Sequence, residues 1–271
     1  MNLMTVQLSE NQFNRICGIV YQACGIHLKQ GKEALARARL MKRLRVKRVA
    51  SVDDYLDYIE SAEGSHELAL FIDVMTTNKT SFFREAEHFN YLRDQILPEL
   101  KGHRLRFWSA ACSSGEEPYT LAMWLKEHMK DIDSKDLLIL ATDISRRMLD
   151  KARMAIYPPE TLRSLPSKQF FKYFRKLNGQ HSGNFQVVDD VRMLVRLSWL
   201  NLLESWPMKG PFNVIFCRNV MIYFDRQTQQ KLINRFWELM EPGGYLFVGH
   251  SEGLSAIKHQ FRYMRPATYR K

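Results

Sequence analysis

Carboxylate and amide side chains follow three apolar segments that have the composition of buried strands. Glu117 comes shortly after the first segment, Asp143 lies near the end of the second (136–145), and Asn219 lies just past the third (213–217). Because the carboxyl ends of parallel strands meet at one edge of a sheet, where ligands collect, these side chains are candidate ligand contacts. A carboxylate at the position of Asp143 can accept hydrogen bonds from both hydroxyls of a ribose.

The turn before Glu117 has the layout of a nucleotide-binding turn but lacks most of its glycines. Residues 109–115 are small, and Gly115 is the one glycine among them. Glu116 and Glu117 follow at the positive end of a helix dipole, and Pro118 fits the first helical turn. Acids therefore stand where a pyrophosphate needs bare N–H groups, so the turn suits a nucleoside better than a dinucleotide.

The segment 76–92 (TTNKTSFFREAEHFNYL), here called the lid segment, is unusual for a linker. It places short polar side chains and Arg84 around the aromatic pair Phe82-Phe83. Such a pair can anchor the segment while the polar groups hydrogen-bond a ligand, which predicts a lid. The alternative is an interdomain connector whose aromatic side chains only pack.

Two kinds of structure have to position these residues. Capped helical patterns predict a helical domain over residues 1–76, followed by a linker or lid over 77–103. From residue 104 the pattern alternates between strands and helices, which predicts a parallel sheet covered on both faces over 104–271. The last two runs predict a closing antiparallel strand pair, which a dinucleotide-binding sheet lacks.

A turn-rich stretch interrupts this alternation. The runs FQVV (185–188) and MLVRL (193–197) flank the charged pair Asp189-Asp190, which predicts a hairpin. We therefore expect a small antiparallel insertion at about 176–197. Its strand edges could accept an added peptide strand, or the insertion could be a plain loop excursion.

The charge of the chain predicts an anionic partner. The 271 residues carry 40 Lys and Arg against 29 Asp and Glu, a net charge of +11. Such an excess suits nucleic acid, a membrane surface or an acidic protein, although charge also keeps proteins soluble. Nine basic residues and one acid lie between Lys29 and Arg48. We expect a helix here whose buried side is formed by Leu35, Ala38, Met41 and Leu44 and whose basic side chains lie on the outer faces. These basic side chains could form a docking surface or a solvated helix surface.

Cysteine usage and hydropathy indicate the compartment. The four cysteines form no CxxC pair, so we expect no metal site. The first 13 residues lack a basic region followed by an apolar run, which predicts no signal peptide, and no stretch approaches the roughly 20 apolar residues of a membrane span. These features predict a reduced, cytoplasmic protein.

Four sequence blocks in order carry a resemblance to a known family. They are TTNKTSFFRE, WSAACSSGEEPY, ATDIS, and FCRNVMIYFD with the later GGYLFVGHSE. The chain resembles the CheR-type chemotaxis receptor methyltransferases, which are S-adenosylmethionine-dependent protein-glutamate O-methyltransferases, and the similarity extends into the helical N-terminus. The resemblance implies an α/β fold: a Rossmann-like class I methyltransferase sheet with a helical N-terminal domain and a small inserted antiparallel β-subdomain.

The resemblance also implies roles for individual residues. Asp143 would bind the ribose of S-adenosylmethionine, Asn201 and Leu202 would flank its adenine, and Asn219 would lie at its methionine end. Tyr223 would lie near the transferred methyl group. The full set implied to bind the cofactor, whose product is S-adenosylhomocysteine, is Asn78, Thr80, Arg84, Glu117, Asp143, Asn201, Leu202, Arg218 and Asn219.

A glutamate acceptor would explain why no catalytic dyad or triad is evident. Its pKa of about 4.3 leaves it ionised at neutral pH, so no general base is needed. We expect catalysis to consist of alignment and exclusion of water, with Arg84 and Tyr223 orienting the acceptor carboxylate. Arg84 could instead serve only as an anchor for the cofactor or the lid segment.

Partners follow from the same resemblance. The acidic cytoplasmic helices of chemotaxis receptors would dock on basic residues of the second helix, and a receptor's C-terminal peptide could bind the β-subdomain. The predicted docking residues are Arg39, Lys42, Arg43, Arg45 and Lys47. An RNA methyltransferase would also be basic, but RNVMIY stands where a base-amino methyltransferase carries [ND]PP[YF]. A scaffold that binds the cofactor without turnover is a further alternative.

Overall fold

A computed structural model describes residues 7–271. The chain forms two compact units. The first comprises the described residues up to Thr77 together with Tyr223–Thr228, and the second comprises Asn78–Ile222 and Gln229–Lys271. The prediction that no signal peptide is present concerns residues 1–13, of which the first six lie outside the described residues.

The first unit is helical, as the capping patterns predict. Its helices are α1 (Glu10–Cys24), α2 (Glu33–Lys47), α3 (Val52–Glu60) and α4 (Ser65–Met75). Ser9 and Gln12 form a complete capping box at α1, and the Ser51 hydroxyl accepts from the Asp54 N–H at α3. These side chains satisfy N–H groups that a helix start leaves unpaired.

The buried face of α2 differs from the predicted one. Its buried residues are Ala36, Leu40, Met41 and Leu44, whereas Leu35 and Ala38 are exposed. The prediction was right for Met41 and Leu44 and wrong for Leu35 and Ala38, because four residues at a constant spacing of three rotate around a helix of 3.6 residues per turn and cannot share one narrow face. The observed set mixes spacings of three (Met41 to Leu44) and four (Ala36 to Leu40, Leu40 to Leu44), which keeps the side chains on one face.

Arg43 does not lie on the outer face of α2, and the expectation that it does was wrong. Its side chain is 13% exposed and bonds to both carboxylate oxygens of buried Glu67, at 2.8 and 2.7 Å. The Tyr55 hydroxyl donates to the same carboxylate at 2.8 Å. Arg39 also turns inward, since it donates to the Met75 carbonyl and to the Thr77 hydroxyl. Both arginines therefore hold the helical unit together.

The second unit is built on two sheets. The large sheet has seven strands in the order β6-β2-β1-β7-β8-β10-β9, parallel except that β10 runs antiparallel to both β8 and β9. The small sheet has the antiparallel order β3-β5-β4. The strands are β1 (Arg104–Ala110), β2 (Asp136–Asp143), β3 (Ile156–Tyr157), β4 (Phe174–Lys176), β5 (Phe185–Val187), β6 (Val195–Trp199), β7 (Phe212–Cys217), β8 (Met240–Val248), β9 (Arg262–Arg265) and β10 (Thr268–Arg270).

Helices cover the large sheet or connect its strands. They are α5 (Ala86–Tyr91), α6 (Glu116–His128), α7 (Arg146–Met154), α8 (Asp189–Arg192) and α9 (Arg226–Leu239). A π-helical turn, Leu92–Ile96, continues α5, and a 3-10 turn, Met221–Tyr223, precedes α9. No helix in the described part of the chain is long and apolar enough to cross a membrane.

The predicted hairpin between FQVV and MLVRL does not form. Val195–Trp199 instead makes the edge strand β6, which pairs in parallel with β2. Asp189 and Asp190 open the short helix α8 because acids are favoured at a helix N-terminus. The small sheet pairs β5 with Ile156–Tyr157 and Phe174–Lys176, so the insertion begins before the predicted stretch and its last strand is β5.

Candidate active site

The turn between β1 and α6 requires a glycine at its last position, residue 115. Ala111, Ser113 and Gly115 all have positive φ angles, of 81°, 49° and 98°. A Cβ at Gly115 would lie 2.9 Å from the Tyr119 ring and 3.0 Å from the Tyr157 hydroxyl. Gly115 is therefore required both by its conformation and by the close packing of the turn.

Asp143 fixes this turn to the end of β2. Its side chain is 7% exposed, and its Oδ2 accepts from the Ser113 N–H at 2.8 Å. Its Oδ1 accepts from the Ser145 N–H at 2.8 Å, at the start of α7. Two backbone N–H groups thus orient the carboxylate at the carboxyl edge of the sheet, where the sequence predicts a ribose contact.

Asn201 and Leu202 lie just beyond β6, next to the end of β2. Both are buried. The Asn201 amide donates to Glu204 at 3.0 Å, and its carbonyl oxygen accepts from the Leu203 N–H at 3.1 Å. These local bonds hold the short loop in place, and its contact with adenine stays a prediction.

A buried ion-pair group lies at the ends of β1 and β7. It consists of Arg218, Glu85 and Glu117 and is called the Arg218 cluster below. The Arg218 side chain is 1% exposed; its Nη1 lies 3.0 Å from Glu117, and its Nη2 lies 3.1 Å from Glu85. Arg218 also donates to the Arg84 carbonyl, so its guanidinium ties the lid segment to the sheet. A direct contact of Arg218 with the cofactor stays a prediction.

The pKa values of the two acids in the cluster shift in opposite directions. Burial raises the pKa of Glu117, although Arg218 and the Ser109 hydroxyl, which donates at 2.7 Å, oppose this shift. Burial also raises the pKa of Glu85, but the charge of Arg218 and the Asn219 amide outweigh it and leave that pKa lowered. Glu116 lies outside the cluster and accepts from the Ser114 hydroxyl at 2.7 Å.

The lid segment is anchored by its aromatic pair. Phe82 packs edge-on against Tyr157 and Phe174, with ring centroids 4.9 and 5.3 Å apart, and Phe83 lies 4.7 Å from Phe170. This packing agrees with both the lid and the connector interpretation. The Ser113 hydroxyl also donates to the Asn78 carbonyl at 3.0 Å, which joins the segment to the turn, and its role as a lid stays a prediction.

Two further predicted residues of the lid segment are half-buried. Arg84 donates to the Lys79 carbonyl at 2.8 Å, which curls the segment on itself. Thr80 lies between Lys79 and Arg84 in the chain and is half-buried as well. Their contacts with the cofactor stay predictions.

Tyr223 belongs to the first unit. Its carbonyl accepts from the His27 N–H at 2.7 Å, and the nearby Asp225 carboxylate accepts from the Tyr21 hydroxyl at 2.5 Å. Helix α1 and the residues after it thus hold the segment that carries Tyr223. Its place beside the transferred methyl group stays a prediction.

Two cysteines near the strand ends are unsuited to nucleophilic catalysis. Cys112 and Cys217 are fully buried, and burial raises the pKa of each thiol well above its ordinary value. Both therefore remain protonated at neutral pH, whereas a nucleophilic cysteine reacts as its thiolate.

Glu85, His88 and His250 could together offer ligand atoms to a metal, since one such atom from each lies within 4.8 Å of the others. Arg218 already bonds to Glu85, however, and its positive charge opposes a second cation. Burial, and then Arg218, lowers the pKa of His88 to about 3. The arrangement is explained as a neutral His88 packed against His250 beside the Arg218 cluster, with ring centroids 5.0 Å apart.

The sequence interpretation missed two acids of this site. Glu85 and Glu252 stand in the blocks FFRE and GHSE, yet neither had a predicted role. The sequence signal that could have identified them as site residues was their position in those blocks, beside glycine, aromatic and basic residues. Their partners, Arg218 and the Asn219 backbone, lie 133 and 33 residues away in the chain.

Two family descriptions match the chain. "CheR methyltransferase, SAM binding domain" matches residues 78–270, and "CheR methyltransferase, all-alpha domain" matches residues 11–76. The chain belongs to the CheR methyltransferase family. The predicted fold class is confirmed, since the seven-stranded sheet, the helical N-terminal unit and the small antiparallel sheet are all present.

Similar CheR proteins span nearly the whole chain. The "Chemotaxis protein methyltransferase" of Borreliella burgdorferi is 40% identical over 99% of this chain and 96% of that protein. The protein of the same name from Escherichia coli K12 is 41% identical over 94% of this chain and 88% of that protein. A "Probable chemotaxis protein methyltransferase" from Rhizobium etli is 40% identical over 93% and 96%.

S-adenosylmethionine is the cofactor of this CheR protein, and the residues at the sheet edge fit it. The tight turn around Gly115 leaves no room for a side chain, the acid Glu117 suits a ligand with a cationic sulfonium and an amino group, and the Asp143 carboxylate suits a ribose. Bound there, the cofactor supplies an electrophilic methyl group. The turn has no pyrophosphate to bind, which accounts for its missing glycines.

Proposed function

We propose that this methyltransferase transfers the methyl group of S-adenosylmethionine to glutamate side chains of chemotaxis receptors in the cytoplasm, forming methyl esters that tune adaptation. The observation that carries the proposal is the match of the two CheR methyltransferase descriptions over residues 11–76 and 78–270, and the buried groups of the site agree with a carboxylate acceptor. His88 has a pKa of about 3, and the Cys112 and Cys217 thiols stay protonated. These groups supply neither a strong base nor a nucleophile at neutral pH, and an ionised carboxylate acceptor requires neither.

The residues of the chain would act by alignment. The Arg218 cluster and the Phe82-Phe83 anchor hold the lid segment, so Arg84 is presented from a fixed backbone. Arg84 and Tyr223 orient the acceptor oxygen, and the packed lid excludes water. No proton has to be moved, because the acceptor enters ionised and leaves as a neutral ester.

The test is transfer of radiolabelled methyl from S-adenosylmethionine to receptor-containing membranes. We expect label on receptor protein that mild alkali releases as methanol, as a carboxyl ester requires. Label on RNA would support the nucleic-acid alternative instead. Cofactor binding without any transfer would support the scaffold alternative, and either result would overturn the proposal.

Arg84→Ala separates catalysis from cofactor anchoring. We expect single-turnover methylation at saturating S-adenosylmethionine to fall at least tenfold, because the acceptor loses a charge-assisted bond of about 1.5–3 kcal/mol. Arg163→Met, a change at an exposed position of the same unit, should leave the rate unchanged. Unchanged single-turnover chemistry with weaker cofactor binding would assign Arg84 to anchoring alone.

Two of the five predicted docking residues bond to other residues of the helical unit. Arg39 and Arg43 bond within the helical unit, whereas Lys42, Arg45 and Lys47 are exposed on α2. We propose that these three residues, here called the α2 basic surface, attract acidic receptor helices. A receptor's C-terminal peptide pairing with an outer strand of the small sheet is proposed as a second contact.

Reversing the α2 basic surface to glutamate (K42E/R45E/K47E) is expected to lower receptor methylation at least tenfold at low salt, with S-adenosylhomocysteine affinity unchanged. The reason is lost electrostatic complementarity, which salt should also weaken in the native protein. The matched control K101E/K130E/K231E changes the net charge equally at exposed lysines of the second unit. Equal methylation by both triple variants would refute the docking role.

A further inference from the structure

Glu252 is a buried acid to which the proposed reaction assigns no role. It is 6% exposed and lies just after β8. Its Oε2 accepts from the Asn219 N–H at 2.6 Å and from the Gly249 N–H at 2.7 Å, and its Oε1 accepts from the Ile222 N–H at 3.1 Å. One side chain thus binds three backbone donors from the ends of two neighbouring strands, β7 and β8.

These three bonds demand a group that only accepts. A carboxylate has two accepting oxygens, whereas a glutamine amide would turn its NH₂ group toward an N–H donor. The site is also too tight to rearrange, because a Cβ at Gly249 would lie 2.5 Å from Glu252 Oε2 and 2.6 Å from Asn219 Nδ2. Glutamate at 252 and glycine at 249 are therefore required together.

The bonds to Glu252 fix the backbone around Asn219. Asn219 has a φ of 60°, in the left-handed region, which asparagine adopts more readily than most residues other than glycine. Its side-chain amide lies 3.3 Å from Glu85 of the Arg218 cluster. The Asn219 N–H is bound to Glu252 at 2.6 Å, so the carboxylate fixes the conformation from which the amide is presented.

We propose that Glu252 is a positioning residue for methyl transfer, which fixes Asn219 and the turn up to Ile222 at the methionine end of the cofactor. The inference rests on the proposed cofactor contact of Asn219. Glu252 itself touches neither cofactor nor acceptor in this proposal; it acts through the backbone it binds.

The test compares Glu252→Gln and Gly249→Ala with the exposed control Glu160→Gln. We expect both site variants to bind S-adenosylhomocysteine at least tenfold more weakly by calorimetry, while the KM for receptor changes less than twofold. Hydrogen exchange should accelerate at the amides of Asn219 and Ile222 but not in β1 or β2. The control should behave as the native protein in all three measurements.

Native affinity for S-adenosylhomocysteine in both site variants would overturn the inference. Hydrogen exchange that accelerates evenly over the whole sheet would overturn it as well, because it indicates a merely structural role. If Glu252→Gln does not fold, Gly249→Ala decides alone, because it keeps the carboxylate and crowds Glu252 Oε2 and the Asn219 amide where they meet. Failure of the native protein to methylate receptors would refute the proposed function, whereas this inference is judged on cofactor binding and exchange.

Discussion

Replacing Arg218 with methionine is expected to destabilise the second unit by about 3–5 kcal/mol, because Glu85 and Glu117 would be left buried without their cation. All five tryptophans (108, 124, 199, 206 and 237) lie in that unit, so tryptophan fluorescence during urea unfolding measures its stability. Methionine fills the space of the arginine stem, which leaves the charge as the main difference.

Two variants control this result. Arg163→Met removes an exposed arginine of the same unit and should change the free energy of unfolding by less than about 0.5 kcal/mol. Arg218→Met combined with Glu117→Gln should recover part of the loss, because one uncompensated charge is removed. A loss below about 1 kcal/mol in Arg218→Met, or no recovery in the double variant, would show that the cluster is not held by charge pairing.

Asp143→Asn is expected to weaken S-adenosylhomocysteine binding roughly 30-fold, which corresponds to about 2 kcal/mol. The asparagine would place an NH₂ group against the Ser113 or Ser145 N–H, so the turn loses a partner at the same time as the ribose loses a carboxylate. Isothermal titration calorimetry measures the affinity directly.

The matched control for Asp143 is Asp133→Asn, an exposed aspartate before β2 that should bind S-adenosylhomocysteine normally. Thermal unfolding of Asp143→Asn separates the two effects of the change. Native affinity in Asp143→Asn would refute the predicted ribose contact. A lower melting temperature with native affinity would leave Asp143 as a residue that only holds the turn.

Local pattern predicted most of the elements correctly. The seams of α1 and α3, their serine caps and the apolar runs of β1, β2 and β7 are all set by neighbours within a few residues. The pattern failed to predict the buried face of α2 and the strand pairing of residues 193–197, because short apolar runs can pack or pair with more than one partner. Residues 195–199 form strand β6 because they pair with β2, and a local sequence pattern carries no information about that pairing.

The site was predictable where it depends on strand ends. Asp143 and Asn219 follow apolar runs, and parallel strands bring such positions to one edge. The ion pairs were not predictable in this way. Arg43 and Arg218 look in sequence like other basic residues, and only their distant partners Glu67 and Glu85 show that they form buried ion pairs.

The sequence by itself determined the helical unit, the parallel sheet, the position of the candidate site and, through four motif blocks, the family. Tertiary structure alone decided which charged groups are buried together: Arg218 with Glu85 and Glu117, Arg43 with Glu67, and Glu252 with the Asn219 backbone. The physical reason is that periodicity encodes which face of an element is apolar, whereas the partner of a buried charge is set by contacts between elements far apart in the chain.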